Sequence, residues 1–235
     1  MRRTLALLLL LLAPGCLLSF ELPADGGPPP ATGPHALQGE RVTDMATQRT
    51  ITATLAQTTA GNLLVAVASW NLNGNAFGTA TDSLGNTYHE ATQQMDPGSR
   101  QALAMFYAVN PVGGDATMTV TLSEVACCRR LIVLEYAGVA TEAPLDQVAT
   151  NLGTGAAATS GSLTTTRPGE LLLAALYLDG VAVVGTPTDG FTAGLALPDV
   201  MTAAAVQAAP GPVSAGFALE PAADYMCHLV AFRPR

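Results

Sequence analysis

The stretch GNLLVAVASW, residues 61–70, returns as GELLLAALYL, residues 169–178. Each copy opens on a glycine, runs through apolar side chains on both faces, and is followed by the same series: a strand, a Pro/Gly turn, a strand and a last apolar run. The first copy continues as QALAMFYAVNPVGGDATMTVTL, residues 101–122, and RRLIVLEYAGV, residues 129–139. The second continues as VMTAAAVQAAPGPVSAGFAL, residues 200–219, and CHLVAFRPR, residues 227–235. A chain that repeats a series of short strands is expected to fold as one all-β domain with an internal pseudo-repeat.

Side-chain alternation supports strands directly. Ala116, Met118, Val120 and Leu122 face one way and Thr117, Thr119 and Thr121 the other, the period of two that a half-buried strand requires. Ile51, Ala53 and Leu55 alternate with Thr50, Thr52 and Thr54, and Val213, Ala215, Phe217 and Leu219 with Ser214, Gly216 and Ala218. Runs 63–70, 131–136 and 171–178 are apolar on both faces and predict central strands covered on both sides. Turn residues separate them, NPVGGD from Asn110, APGP from Ala209 and TDSLGN from Thr81. No capped amphipathic helix lies between strands, which argues against a parallel βαβ sheet. The expected fold is therefore a two-sheet antiparallel sandwich of about a dozen short strands, jelly-roll-like in its connections. Phe106, Leu134, Phe217 and Phe232 are expected innermost.

The amino-terminal text has a different character. Arg2 and Arg3 precede LALLLLLLA, residues 5–13, an apolar run of the length found in secretory signals and short for a membrane span. Ala13 and Gly15 flank Pro14 just before Cys16, so residues 1–15 read as a signal peptide. Two outcomes stay open: a lipobox-like signal with Cys16 as the lipidated residue, and ordinary secretion. Residues 16–48, with PADGGPPPATGP at their centre, read as a Pro/Gly-rich tether carrying His35, and residues 49–235 as the single folded domain.

Composition narrows the partners. Charged residues are 12% of the chain, lysine is absent and the net charge is -8, so phosphate backbones and anionic lipid surfaces are disfavoured and nucleic acid is excluded as a partner class.

The series GNLLVAVASWN, TDSLGNTYHEA, LAMFYAVNPVGGDATMTVTL and LIVLEYAGV, followed by PLDQ, resembles a recurrent domain of bacterial secreted and cell-surface proteins. The resemblance runs from about Thr50 to Arg235. It implies a lectin-like β-sandwich, an exported and non-catalytic module without an established activity, and it supplies no site residues.

Candidate chemistry is sparse. Trp70 leads into the amide-rich NLNGNAFG, so Trp70, Asn71, Asn73, Asn75 and Phe77 form a candidate carbohydrate-binding loop, an apolar ring beside directional amides. The preferred reading of Trp70 is a core plug, with the asparagines as turn formers. Asp82 and Asn86 around Gly85 offer oxygens of the kind calcium takes, but fit an Asx-capped turn better. No other cofactor is indicated. Cys127 and Cys128, adjacent on an expected strand, point to opposite faces. Cys127 or Cys128 with Cys227 is a candidate disulfide if the repeats set their equivalent strands together; the alternative is buried free thiols. His89 and His228 read as surface or hydrogen-bonded strand residues. There is no GxSxG elbow and no metal-ligand spacing, so an enzyme is not expected. The expected function is a secreted or cell-surface binding or adhesion module, with carbohydrate or another surface polymer as partner. The alternatives are a structural subunit or spacer of an extracellular assembly and, last, a carbohydrate-active hydrolase.

Overall fold

The computed structural model of the chain describes residues 33–71, 76–98, 100–179 and 184–235, which contain no helix. In chain order the strands are β1 (His35–Asp44), β2 (Gln48–Thr58), β3 (Asn62–Asn71), β4 (Gly78–Asp82), β5 (His89–Asp96), β6 (Gln101–Asn110), β7 (Gly114–Ala126), β8 (Arg129–Ala137), β9 (Leu145–Thr159), β10 (Leu163–Thr164), β11 (Glu170–Leu178), β12 (Val184–Pro187), β13 (Thr192–Ala196), β14 (Val200–Gln207), β15 (Pro212–Val213) and β16 (Gly216–Phe232). All their pairings are antiparallel.

The all-β antiparallel sandwich expected from the sequence is present, but where one pair of sheets was expected from both repeats, each repeat builds its own pair. In the first repeat a five-stranded sheet in the order β1-β8-β3-β6-β5 faces a three-stranded sheet in the order β2-β7-β4. In the second, β9-β16-β11-β14-β13 follows the same order, strand for strand. Here β9 and β16 are long enough to run from one sheet into the other. The Gly216–Ala218 end of β16 pairs the far end of β9 and, on its other side, β12, as β7 pairs β2 and β4 in the first repeat. The repeat reaches into local irregularities. β1 bulges between Ala36 and Gln38, and β9 bulges at the equivalent place, between Leu145 and Gln147.

Packing follows the alternation. One face of β3 (Leu64, Ala66, Ala68, Trp70) meets the inward residues of β2 and β7 (Ile51, Leu55, Met118, Val120) in the first repeat's own core. The opposite face (Leu63, Val65, Val67), with Met105, Ile132 and Leu134, meets Leu171, Leu173, Met226, Val230 and Phe232 in a core shared by both repeats. Leu172, Leu176, Cys227 and Leu229 form the second repeat's own core with Phe217 and Leu219. β3, β8 and β11 are apolar on both faces because each lies between two cores. Phe106, Leu134, Phe217 and Phe232 are all buried, as expected. Each contributes roughly 1.5 to 3 kcal/mol of transfer free energy before chain entropy is counted.

The turns that enter β3 and β11 are closed by buried carboxylates from different strands. Glu135 on β8 accepts the Thr59 N–H and the Asn62 amide, both at 2.7 Å. At the equivalent corner Glu170, which replaces Asn62, accepts the N–H groups of Thr166 and Arg167 at 3.1 and 2.8 Å. Arg129 ties the first corner of the chain, donating to Asp44 at 2.6 Å and to the carbonyl oxygens of Ala46 and Thr50.

Two sequence expectations are corrected here. The tether expected over residues 16–48 gives way to the fold by His35, because 35–44 is an edge strand of the first repeat; His35 stands in β1 and not in a linker. The candidate disulfide does not form: Cys127, Cys128 and Cys227 are free. Cys127 and Cys128 occupy the corner between β7 and β8, not a strand. Cys227 lies on the face of β16 turned away from the first repeat, since Met226, Val230 and Phe232 hold the shared face. Burial pushes the Cys227 thiol up to about 12. A thiol-reactive disulfide reagent, with labelled peptides identified by mass, should therefore modify half-buried Cys127 and Cys128 in the native protein and Cys227 only after unfolding. Recovery of a peptide bridged to Cys227 would contradict the placement.

Candidate functional site

The loop expected to grip a sugar is not a binding platform in its aromatic part. Trp70 is 1% exposed, packs in the first repeat's core and donates its indole N–H to the Ala76 carbonyl at 3.2 Å. Its ring offers no face to a ligand, which corrects its place among the binding candidates and matches the core role. Asn71 is half-buried and donates its backbone N–H to Cys127 O. Phe77 is 52% exposed. Asn73 and Asn75 lie outside the described residues.

The calcium candidate is a capped turn. Asp82 Oδ1 accepts the N–H groups of Leu84 and Asn86, both at 3.0 Å, and Oδ2 accepts the Asn86 amide at 2.7 Å and the Tyr88 hydroxyl at 3.2 Å. Burial, with Asp82 alongside, raises the Tyr88 pKa and keeps it a donor. Both carboxylate oxygens are thus used to fold the loop. Gly85, at φ +77°, takes the left-handed conformation that reverses the chain inside it. No cluster of His, Cys, Asp and Glu suited to a metal occurs among the described residues.

This capped turn forms one wall of a groove of about 490 Å³, a volume within the range of small-ligand sites. The groove lies on a seam between repeats. Asn86, Thr87 and His89 come from the loop and start of β5, Tyr107 and Val109 from β6, and Ala143 and Pro144 from the segment that enters β9. His89 leans on Tyr107 with ring centroids 5.4 Å apart, and Tyr107 meets Phe232 of the second repeat edge-on, also at 5.4 Å. The Asn86 amide nitrogen is held by Asp82 and Asn110, while its Oδ1 is buried with no hydrogen-bond partner. Partial burial raises the Tyr107 pKa, so its hydroxyl stays neutral. The site therefore combines aromatic and prolyl surfaces with hydroxyls, and no carboxylate is among its lining residues. Such a lining suits a neutral polar ligand with an apolar face.

Sequence reasoning passed over Tyr107 and Pro144 and treated His89 singly, because the pairing of His89 with Tyr107 depends on the β5–β6 register and Pro144 joins them only when the repeats pack. One signal was available. At these positions the repeats differ: the registers set His89 and Tyr107 of the first repeat against Thr192 and Ala204 of the second.

Fold and groove together define a tandem-repeat antiparallel β-sandwich with an inter-repeat cleft. In comparisons with known proteins no family model, curated protein or solved structure matches the chain.

Proposed function

We propose that the chain is a non-catalytic, exported binding module that recognises carbohydrate at the seam groove. The observation that carries the reading is the groove itself, where the His89 and Tyr107 rings stand beside Asn86 and Thr87. Sugar rings have an apolar face and a hydroxylated rim, and a site of this make-up meets both. The absence of lining carboxylates suits a neutral glycan. Export rests on the leader-like residues 1–16 and on the resemblance to secreted and cell-surface domains; a lipid on Cys16 would hold the module at a membrane, and cleavage without one would release it.

A glycan-array screen tests the reading. The wild-type protein should retain a restricted set of neutral glycans, and His89→Ala should lose that signal while keeping its thermal midpoint, since His89 is exposed. Silence across the array, or signals that the substitution leaves intact, would remove the groove from consideration.

A second reading has its own support. On the outer face of the three-stranded sheet Thr50, Thr121 and Thr79 stand in one cross-strand row and Thr52, Thr119 and Thr81 in the next. A regular hydroxyl-and-methyl surface of this kind suits a structural subunit packed in an extracellular assembly.

A further inference from the structure

The packing of the repeats is pseudo-two-fold, so the seam between β5 and β9 has a counterpart between β1 and β13. Aligning Gly61 with Gly169 and following the strand registers makes the correspondences explicit. Val65 pairs Tyr107 and its equivalent Leu173 pairs Ala204, so Ala204 stands where Tyr107 would. Tyr107 pairs His89 and Ala204 pairs Thr192, so Thr192 stands for His89. Leu63 pairs Tyr136 and Leu171 pairs Phe232, so Tyr136 is the equivalent of Phe232.

At the first seam Phe232 is met edge-on by the Tyr107 ring. At the second, Tyr136 faces an alanine, and a groove of about 390 Å³ opens there. It reaches down to Leu171 and Tyr136 and is walled by Gly190, Gly194 and Ala204. A smaller groove of about 220 Å³ shares Ala36, Tyr136 and Gly194 and extends it along β1. Thr192 and His35 line the same groove as hydroxyl and imidazole. Burial holds the Tyr136 phenol at about 12, so it is neutral.

We infer that the groove between β1 and β13 binds a small planar aromatic ring, which takes the place against Tyr136 that the Tyr107 side chain holds against Phe232 at the opposite seam. Small residues at the walls leave a slot for a flat ring, and edge-to-face contact with Tyr136 favours an aromatic over an aliphatic occupant. A phenol or an indole, with its one polar group directed to Thr192 or His35, is the class that fits. This site does not depend on the carbohydrate reading and shares none of its groove.

Indole is the probe, with cyclohexane as an aliphatic control, followed by calorimetry and ligand-observed NMR on the intact protein. Wild type should bind indole saturably with one site and cyclohexane more weakly. Ala204→Tyr restores the first repeat's residue and plugs the slot; it should abolish indole binding and raise the thermal midpoint. Tyr136→Leu keeps an apolar wall without the ring and should weaken indole by about tenfold, the loss of one edge-to-face pair. His89→Ala should bind indole as wild type does. Absence of saturable binding, or binding unchanged in both Ala204→Tyr and Tyr136→Leu, overturns the site; if Ala204→Tyr does not fold, Tyr136→Leu decides.

Discussion

Acidification from pH 7 to pH 4.5 is expected to remove about 3 kcal/mol of folding free energy through His228 alone. This residue is fully buried on the face of β16 that meets the first repeat, and both ring nitrogens are used there. Nδ1 lies 2.9 Å from the Thr92 hydroxyl and Nε2 3.2 Å from Gln94 Oε1, both on β5. Because the amide oxygen can only accept, Nε2 carries the proton and Nδ1 accepts from threonine, which describes a neutral imidazole. Its cross-strand neighbours Ala175 and Thr150 carry no charge. Burial without a compensating anion pulls the pKa from 6.5 down to about 3. Below pH 6.5 the unfolded chain binds a proton that the folded chain refuses. Stability is therefore level above that point and falls as the pH drops from 6.5 towards 3, by about 1.4 kcal/mol per unit. Urea unfolding of wild type and His228→Gln across pH 4.5 to 8 checks this. The variant's constant offset is immaterial; the difference between the two curves should steepen only below 6.5, and parallel curves would exclude the assignment.

What could be read in advance divides along a physical line. Patterns carried by neighbours in sequence were legible: the alternation of Thr117, Thr119 and Thr121 with buried partners, the doubly apolar runs that became β3, β8 and β11, and the four large side chains in the cores. The repeat was legible too, but not the strand order, which depends on which strands pair. β1 was not, because HALQGERVTD is an edge strand with one well-covered side at most and carries no clean period. Trp70 drew attention to an amide-rich loop, yet its indole N–H is met by Ala76 only six residues away, a local closure that the letters do not reveal. The direction of Cys227 depends on which face of β16 turns to the other repeat. Each groove is walled by segments of both repeats, so it exists only in the packed pair.

Internal symmetry explains why the departures between repeats are informative. Two copies of one fold packed back to back share a core in which equivalent residues meet equivalent surroundings. Substitutions that keep the pattern, such as Val65 for Leu173, only adjust volume. Those that break it change the chemistry of one seam and leave the other as a reference. Tyr107 with His89 against Ala204 with Thr192 is one such departure, and it separates the two grooves. His228, whose equivalent is Ile132, is another.

The third departure is an ion pair, and its removal should have the largest effect of a single substitution. Arg130 on β8 meets Asp199, just ahead of β14, at 2.7 Å, with both side chains nearly buried. By the same registers their equivalents are Met226, in the shared core, and Ala102, in the first repeat's own core, both apolar. The pair is incompletely satisfied, since Arg130 Nε and Asp199 Oδ1 are buried without partners, although Arg130 also donates to the Cys128 carbonyl. Burial already raises the Asp199 pKa and Arg130 opposes that rise. Arg130→Met therefore strands a carboxylate, and at pH 8 it should cost about 3 to 5 kcal/mol. Without the guanidinium the folded-state pKa climbs further, so the loss shrinks as the pH falls and the carboxyl takes up a proton, the opposite direction to His228. Arg130→Met with Asp199→Ala gives both positions the apolar side chains of their equivalents. The double variant should return to within about 1 kcal/mol of wild type, or exceed it, because an apolar replacement removes the desolvation of both charges. Urea unfolding of the four proteins in a double-mutant cycle at pH 8 measures the coupling. If the two substitutions add, with the double variant the least stable of the set, the ion pair is a net support of the interface and the symmetry argument fails at this position.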